Sequence, residues 1–313
     1  MNATPTLPTA SSPPKTPPSR STVLRMWWLA ARPKTLPAAI APVLAGTAVA
    51  IHERGFHWLS ALFALITALL LQIAANFAND ALDFKRGADT ADRTGPTRIT
   101  ASGMVTADAV LRATAVTLGL AVVSGLYLVW RGGWPFIVLG IAAIICAVAY
   151  TGGPFPLGYL GLGEIFVFIF FGPIAVAGTA YAQTRDLTAL ALATSIPIGA
   201  MAVGILIVNN LRDLATDAIA GKHTIAVRIG VRKTQMEYAA MLIVTAATPV
   251  LFWAVGWLGL WWILTILSWP ALSMLWKQIT TRTGQALNPT LGNTGKALLL
   301  FSMLFSLTLV LSR

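Results

Sequence analysis

Long apolar runs separated by short polar segments form the dominant pattern of the chain. A membrane-spanning helix needs roughly 20 predominantly apolar residues, with a range of about 17–25. The pattern predicts an all-α fold, a polytopic membrane helix bundle with about nine transmembrane helices. These helices cover approximately residues 35–52, 58–79, 109–130, 134–150, 162–182, 188–210, 237–256, 257–276 and 295–312.

Composition supports a membrane protein and argues against a soluble one. Of the 313 residues, 56% are hydrophobic and only 11% are charged, whereas a soluble domain carries about 25% charged residues. The first 22 residues differ, because they are rich in Pro, Ser and Thr and contain two basic residues and no acid. We therefore predict two parts: a disordered cytoplasmic N-terminal tail over residues 1–22 and a transmembrane domain over residues 23–313.

The positive charges predict an orientation. With nine transmembrane helices, 18 of the 22 Lys and Arg residues fall on the side of the N-terminus and four on the opposite side. Cytoplasmic loops carry an excess of Lys and Arg, so we predict a cytoplasmic N-terminus in a bacterial-type inner membrane. The net charge of +11 suits anionic lipid headgroups in the bilayer or an anionic substrate. Nothing in the sequence suggests a nucleic-acid partner.

Six of the eleven acidic residues lie in two short stretches, residues 72–98 and 209–230. Both stretches begin at the predicted cytoplasmic end of an apolar helix. Polar residues in each recur every three or four positions, which places them on one helix face. In the first stretch they are Gln72, Asn76, Asn79, Asp80 and Asp83, and in the second Asn209, Asn210, Asp213 and Asp217. Because like charges at this spacing repel, we expect a positive group between them.

The types of residue in these stretches point to a magnesium–diphosphate site. Oxygen ligands without His or Cys favour a hard cation such as Mg²⁺, which binds a few carboxylates together with waters and phosphate oxygens. The candidate metal ligands are Asn79, Asp80, Asp83, Asp213 and Asp217, and the four aspartates are the candidate catalytic residues. The candidate residues for binding an anionic substrate are Asn76, Lys85, Arg93, Arg98, Lys222 and Arg228. Any single acid could be an ordinary loop residue. Two matching acidic motifs on membrane helices are much less easily explained in that way, because polar groups in membrane helices are costly and usually functional.

These motifs resemble those of the UbiA superfamily of intramembrane prenyltransferases, whose pattern is Asn-Asp-x-x-Asp on one helix and Asp-x-x-x-Asp on a later one. The chain reads Asn79-Asp80-Ala-Leu-Asp83 and Asp213-Leu-Ala-Thr-Asp217. Within the superfamily it is most similar to the MenA branch, the 1,4-dihydroxy-2-naphthoate polyprenyltransferases. Three stretches carry this resemblance: ARPKTLPAAIAPVLAG (31–46), NDALDFKRGADTADRTGPTRITASG (79–103) and YTGGPFPLGYLGLGE (150–164).

The resemblance implies a reaction and further site residues. A prenyl diphosphate ionises with the help of Mg²⁺ and basic side chains, an aromatic acceptor attacks the allylic cation, and the ring carboxylate leaves as CO₂, in menaquinone biosynthesis. Asp89 becomes a further candidate metal ligand, although the third ligand of the first site stays open between Asp89 and Asp92. Additional candidates for substrate binding are Arg32, Lys34, Tyr150 and Glu164.

Two alternatives remain open at the level of sequence. A related enzyme of the same superfamily could use another acceptor, such as 4-hydroxybenzoate, homogentisate or a haem ring. A secondary transporter also contains intramembrane carboxylates and internal repeats. Here the acids cluster at helix ends on one side of the membrane beside basic residues, which favours an enzyme acting on an anionic, membrane-bound substrate.

Overall fold

The structure is a computed structural model that describes residues 20–87, 94–95 and 98–313. All of the secondary-structure elements in the described residues are helices, and none is a β-strand. This confirms the predicted all-α membrane bundle. The predicted tail over residues 1–22 lies almost entirely outside the described residues, and the first helix begins at Arg20. The tail therefore stays a prediction.

The described residues up to Thr184 form seven α-helices. They are α1 (Arg20–Ala30), α2 (Pro37–His52), α3 (Trp58–Lys85), α4 (Ala107–Gly132), α5 (Pro135–Ala149), α6 (Gly163–Ile169) and α7 (Gly178–Thr184). A short 3₁₀-helix, Pro33–Thr35, joins α1 to α2, and a π-helix, Phe170–Ala177, joins α6 to α7.

The second half contains five more. They are α8 (Ala189–Arg212), α9 (Leu214–Ile219), α10 (Ile225–Ala254), α11 (Trp269–Thr281) and α12 (Asn288–Leu311). Two 3₁₀-helices, Leu260–Ser268 and Gly284–Leu287, precede α11 and α12. Local chemistry fixes several of the starts: the hydroxyl oxygens of Thr106, Thr188 and Thr224 accept backbone N–H groups at the beginnings of α4, α8 and α10.

The predicted count of nine transmembrane helices is not confirmed. Six helices in the described residues are long and apolar enough to cross a membrane, and α1 with α2, bent by 52°, raises this number to at most seven. The predicted segment 134–150 is the 15-residue helix α5. The predicted segment 257–276 is a 3₁₀-helix followed by α11, which has 13 residues. A count of apolar residues cannot detect such breaks, because apolar content is the same on both sides of them.

Helix α8 lies at the centre of the bundle, packed against α2, α6, α10, α12 and the π-helix. The main core forms around it and includes Met201, Tyr238, Leu275, Phe301 and Phe305, all fully buried. At another tight crossing, a Cβ atom on Gly46 would lie 2.3 Å from the carbonyl oxygen of Val176, so α2 can approach the π-helix this closely only with glycine. This packing fixes α8 against the rest of the bundle and so positions its C-terminal end.

Candidate active site

The two acidic motifs meet at one point in the structure. Asp83 lies in the last turn of α3, and Asp217 lies in the short helix α9 that follows α8. The ammonium nitrogen of Lys222 is 3.5 Å from Oδ1 of Asp83 and 3.7 Å from Oδ1 of Asp217. The positive group expected between the motifs is therefore Lys222, and the ends of α3 and α8 lie on the same side of the bundle.

Asp83 is held by side chains from two other segments. Nη2 of Arg98 donates to its Oδ2 at 2.6 Å, and the Tyr159 hydroxyl donates to its Oδ1 at 2.8 Å. Nη1 of Arg98 also donates to the backbone oxygen of Asn79 at 2.6 Å, while the Thr151 hydroxyl donates to Oδ1 of Asn79 at 2.9 Å. These contacts fix the positions of Asn79 and Asp83, which both line the polar cavity described below.

Asp80 has a different environment. Its carboxylate accepts the backbone N–H groups of Ile99 at 3.2 Å and Thr100 at 3.1 Å, and it accepts the Thr100 hydroxyl as well. Its oxygens therefore hold the turn at residues 98–100 beside the end of α3. Through that turn Asp80 positions Arg98, the partner of Asp83.

The second motif is held by a buried arginine. Nε and Nη2 of Arg212 donate to the two carboxylate oxygens of Asp213 at 2.8 and 2.5 Å. Nη2 of the same guanidinium also donates to Oδ1 of Asn209 at 2.8 Å, and Nη1 donates to Oδ1 of Asn288 at 3.2 Å. The backbone N–H of Asp217 donates to the carbonyl oxygen of Asp213 at 2.7 Å, so one helical turn presents both acids to the same space.

These residues surround a small polar cavity of about 80 Å³. Side chains from both motifs and from the segments after α5 and α9 line it. They are Arg32, Asn79, Asp83, Arg98, Tyr150, Thr151, Tyr159, Asn209, Asn210, Asp213, Thr216, Asp217, Lys222 and Thr224, together with Gly158.

A larger apolar cavity of about 640 Å³ adjoins the polar one. It extends along α3, α4, α5 and the π-helix and is walled mainly by aliphatic and aromatic side chains, among them Leu71, Phe166 and Ile174. The two cavities share four residues at their junction: Arg32, Asn79, Tyr150 and Asn209. A molecule with a charged head and a long hydrocarbon tail therefore fits this pair of cavities.

Burial changes the proton affinity of groups in the loops around the polar cavity. Burial raises the pKa of Asp217 to about 6, with a further increase from the nearby Asp213 carboxylate, although Lys222 acts in the opposite direction. Burial and then the Asp83 carboxylate raise the pKa of Tyr159 far above its usual value. Tyr159 is therefore a stable hydrogen-bond donor to Asp83 at neutral pH.

The aromatic ring of Tyr159 also contacts two basic side chains, those of Lys222 and Arg86. The Lys222 ammonium is 4.8 Å and the Arg86 guanidinium carbon 5.4 Å from the ring centroid, which is within the range of cation–π attraction. Arg86 also donates to the backbone oxygen of Gly153. The loop between α5 and α6 is thereby attached to the end of α3 and to Lys222, and it closes one side of the polar cavity.

The donor set is compatible with a divalent cation that shares its coordination with water and phosphate. Asn79, Asp83, Asp213 and Asp217 offer only oxygen atoms to the cavity. Within the described part of the chain, no group of three or more His, Cys, Asp or Glu side chains is close enough to hold a metal by itself. Mg²⁺ usually takes one or two carboxylates and completes its shell with waters and substrate phosphates.

The structure brings together eight of the predicted site residues: Arg32, Asn79, Asp83, Arg98, Tyr150, Asp213, Asp217 and Lys222. Asn76 lies in the apolar cavity instead, and its amide donates to the backbone oxygen of Ala31 at 2.9 Å. The predicted ligand Asp89, its alternative Asp92 and the predicted phosphate contact Arg93 lie outside the described residues.

Five other predicted residues do not line the polar cavity, and their place in the site stays a prediction. One is Asp80, whose contacts are described above. Lys85 pairs at the surface with Asp108, at 2.7 Å. Lys34 is exposed and packs its aliphatic chain near Gly292. Arg228 donates to the backbone oxygens of His223 and Leu160 and so supports the loop before α6. Glu164 accepts a hydrogen bond from Asn210 behind the cavity wall.

Sequence reasoning did not select Tyr159 or Arg212, although both contact the acids directly. Tyr159 lies within the stretch 150–164 that carries the family resemblance, and Arg212 directly precedes Asp213. Arg212 could have been selected from its position, because it is a basic residue at the end of an apolar helix and directly before Asp213. Within the sequence alone, this position has the simpler interpretation of a charge that favours the cytoplasmic side.

Comparisons with known proteins agree with this geometry. A family model described as the UbiA prenyltransferase family matches residues 39–307. The 1,4-dihydroxy-2-naphthoate octaprenyltransferase of Mycobacterium tuberculosis is 41% identical over 279 residues, covering 88% of this chain and 94% of that protein. The enzyme of the same description from Haemophilus influenzae is 36% identical over 301 residues, covering 92% and 96%.

A solved structure has the same fold. It is a UbiA homologue from Archaeoglobus fulgidus bound to DMAPP and Mg²⁺, with a TM-score of 0.63 and 12% sequence identity. The likeness covers 92% of this chain and 100% of that one. At this identity the comparison establishes the bundle architecture, and the residues of the site rest on the geometry described above.

Proposed function

The chain belongs to the UbiA prenyltransferase family and is an aromatic prenyltransferase of the membrane, and we propose that it acts in menaquinone biosynthesis. The reaction is the transfer of a polyprenyl group from a prenyl diphosphate to 1,4-dihydroxy-2-naphthoate. The allylic C–O bond breaks, a C–C bond to the ring forms, and diphosphate and CO₂ leave. The relatives that are 36–41% identical along most of the chain have this activity by description, which supports the acceptor.

One structural observation carries the proposal. Carboxylates from the two motifs converge on Lys222 inside a polar cavity, and that cavity opens directly into a long apolar one. A prenyl diphosphate matches this pair of cavities, because its charged diphosphate fits the polar cavity and its hydrocarbon chain fits the apolar one. Its reactive C–O bond then lies at the junction beside Arg32, Asn79, Tyr150 and Asn209.

The basic residues of the polar cavity bind the diphosphate. Lys222 and Arg98 direct their charges to the space between the motifs, and their positions stabilise the negative charge that develops on the leaving group. The divalent cation that we propose is Mg²⁺, held by Asn79 and Asp83 on one side and by Asp213 and Asp217 on the other. When bound, it supplies Lewis-acid stabilisation of the departing diphosphate.

The junction of the cavities binds the acceptor. Arg32 lines both cavities and has a left-handed backbone, with φ of 51°, which is unusual for a residue other than glycine. Arg32 lies between α1 and α2, and its backbone conformation turns the chain from α1 into α2. The planar guanidinium of Arg32 is suited to the ring carboxylate of the naphthoate. The ring of Tyr150 and the apolar walls exclude water from the allylic cation.

The acids, Lys222 and the loop before α6 lie on one side of the bundle, and we propose that this is the cytoplasmic side of a bacterial-type inner membrane. The proposal rests on the excess of Lys and Arg on that side of the sequence. Both the water-soluble acceptor and the released diphosphate then exchange with the cytoplasm, while the prenyl chain stays in the lipid-facing part of the molecule.

Acceptor preference tests the proposed function. Purified protein with Mg²⁺ and a prenyl diphosphate is offered 1,4-dihydroxy-2-naphthoate, 4-hydroxybenzoate and homogentisate in parallel, and kcat/KM is measured for each. We expect the naphthoate to be preferred by about a hundredfold, because the smaller single-ring acids leave unfilled the apolar space that the fused second ring occupies. Equal or better turnover of 4-hydroxybenzoate would replace the naphthoate as acceptor and retain the family chemistry.

A further inference from the structure

Asn210 joins the polar cavity to a buried carboxylate behind it. The residue lies near the end of α8 and lines the cavity together with Asp213 and Asp217. Its amide nitrogen donates to Oε1 of Glu164 at 2.8 Å, and Glu164 is 7% exposed. In the structure the nitrogen end of the Asn210 amide therefore points to Glu164, the orientation that an ionised carboxylate requires because it can only accept hydrogen bonds.

The orientation of the amide has a consequence for the cavity. With the nitrogen directed to Glu164, the carboxamide oxygen of Asn210 points away from it, and no described group donates to this oxygen. Asn210 is in contact with the cavity, so the oxygen is the atom that it can offer there. A neutral amide oxygen is a good ligand for a hard cation.

Asn209 would be chosen from the sequence pattern instead. It stands four residues before Asp213, as Asn79 stands four residues before Asp83. However, Oδ1 of Asn209 accepts from the positively charged guanidinium of Arg212 at 2.8 Å, and a cation this close to a neutral oxygen disfavours a metal ion there. The pattern and the geometry therefore select different residues for the neutral oxygen of the second motif.

We propose that Asn210 is a further metal ligand of the second motif and that Glu164 is a positioning residue that orients it. This inference rests on the proposed metal-binding function of the cavity. Glu164 acts only through the amide of Asn210 and does not touch the cation. Outer partners of this kind typically affect metal affinity by roughly ten- to a hundredfold.

Direct metal binding tests the inference without relying on turnover. Mn²⁺ is titrated into the purified, metal-free protein in detergent, with inorganic diphosphate present throughout, and protein-bound Mn²⁺ is followed by electron paramagnetic resonance. We expect Asn210→Ala and Glu164→Leu each to raise the dissociation constant by roughly ten- to a hundredfold. The double variant should lose no more than Asn210→Ala alone, because both changes remove the same contact. Glu164→Gln should bind nearly as well as wild type, because Gln retains an acceptor oxygen.

Glu53→Leu is the matched control, because it removes a carboxylate that directly follows α2, at the end of that helix away from Arg32 and the two motifs. Mn²⁺ affinity in this variant should equal that of wild type, and a loss as large as that of Glu164→Leu would assign the effect to charge alone and overturn the inference. Wild-type affinity in Asn210→Ala would overturn it while leaving the proposed function intact. Absence of Mn²⁺ binding by the wild type would overturn both.

Discussion

Lys222 places its ammonium nitrogen 3.5 Å from Oδ1 of Asp83, a carboxylate on a different helix and in a different sequence motif. The same nitrogen lies 3.7 Å from Oδ1 of Asp217. One cation therefore connects the two acidic motifs, offsets their repulsion and remains available to a diphosphate that enters between them. The two motifs form one active site because Asp83 and Asp217 both contact Lys222.

The first prediction concerns Lys222 itself. Lys222→Met keeps the length of the side chain and removes the charge, so the KM for the prenyl diphosphate should rise roughly ten- to a hundredfold, the cost of one charge-assisted contact. Steady-state kinetics at saturating acceptor measure this change. Lys233→Met is the control, because Lys233 is an exposed lysine of α10 that does not line the polar cavity. An equal effect of both substitutions would mean that general surface charge, and not contact with the diphosphate, is responsible.

The second prediction concerns the acids. Asp83→Asn and Asp217→Asn should each reduce kcat at least about a hundredfold, as the loss of one strong electrostatic stabiliser does in other enzymes. Asp186→Asn and Glu53→Gln, which lie near the other ends of the helices, should have activity close to wild type. Thermal unfolding of each purified variant identifies any that are damaged. Similar losses at all four positions would show that instability, and not chemistry, causes the effect.

The third prediction is a pH dependence of metal binding. Asp217 has a pKa of about 6 in the metal-free protein, and only its ionised form is a ligand. Metal binding therefore releases a proton below pH 6, so affinity should fall by up to about tenfold per pH unit below that value and be constant above it. Mn²⁺ titrations between pH 5 and pH 8 measure this. An affinity that does not change across the range would contradict the assignment of Asp217 as a ligand.

The fourth prediction separates recognition of the acceptor from metal chemistry. Arg32→Ala should raise the KM for the naphthoate by roughly ten- to a hundredfold, because a charge-assisted hydrogen bond to the carboxylate is lost. The KM for the prenyl diphosphate should remain nearly unchanged. Arg32→Lys retains the charge but not the planar fork, so it should also be impaired. If Arg32→Lys behaves as wild type with both substrates, Arg32 serves only to orient the chain in the membrane.

Much of the fold could be predicted because apolar runs of this length have one stable outcome in lipid. The buried polar groups of the backbone must pair within a helix, so composition alone selects a helical bundle. The breaks could not be predicted in the same way. The 3₁₀-helix Leu260–Ser268 and the π-helix Phe170–Ala177 differ from α-helix in hydrogen bonding, and a count of apolar residues does not register that difference. The sequence signal for the π-helix was Pro173, which removes a backbone donor.

The candidate site shows a similar division. The spacing of Asp83, Asp213 and Asp217 revealed them, because acids are rare and costly at the ends of membrane helices. Tyr159 and Arg212 were not selected, since their importance comes from contacts between segments distant in the chain. Asp80 belongs to the motif by spacing, and its carboxylate accepts the backbone N–H groups of residues 99 and 100 in the structure. Its role as a metal ligand stays a prediction.

The mass of the product tests the central claim most directly. Purified protein is incubated with Mg²⁺, a prenyl diphosphate and 1,4-dihydroxy-2-naphthoate labelled with carbon-13 in the carboxyl group, and the products are analysed by mass spectrometry. The account predicts a prenylated naphthoquinol without the label, together with one labelled CO₂ for each prenyl group transferred, and neither product in Asp83→Asn. A prenylated product that retains the labelled carboxyl group, or no product with the wild-type protein, would contradict it.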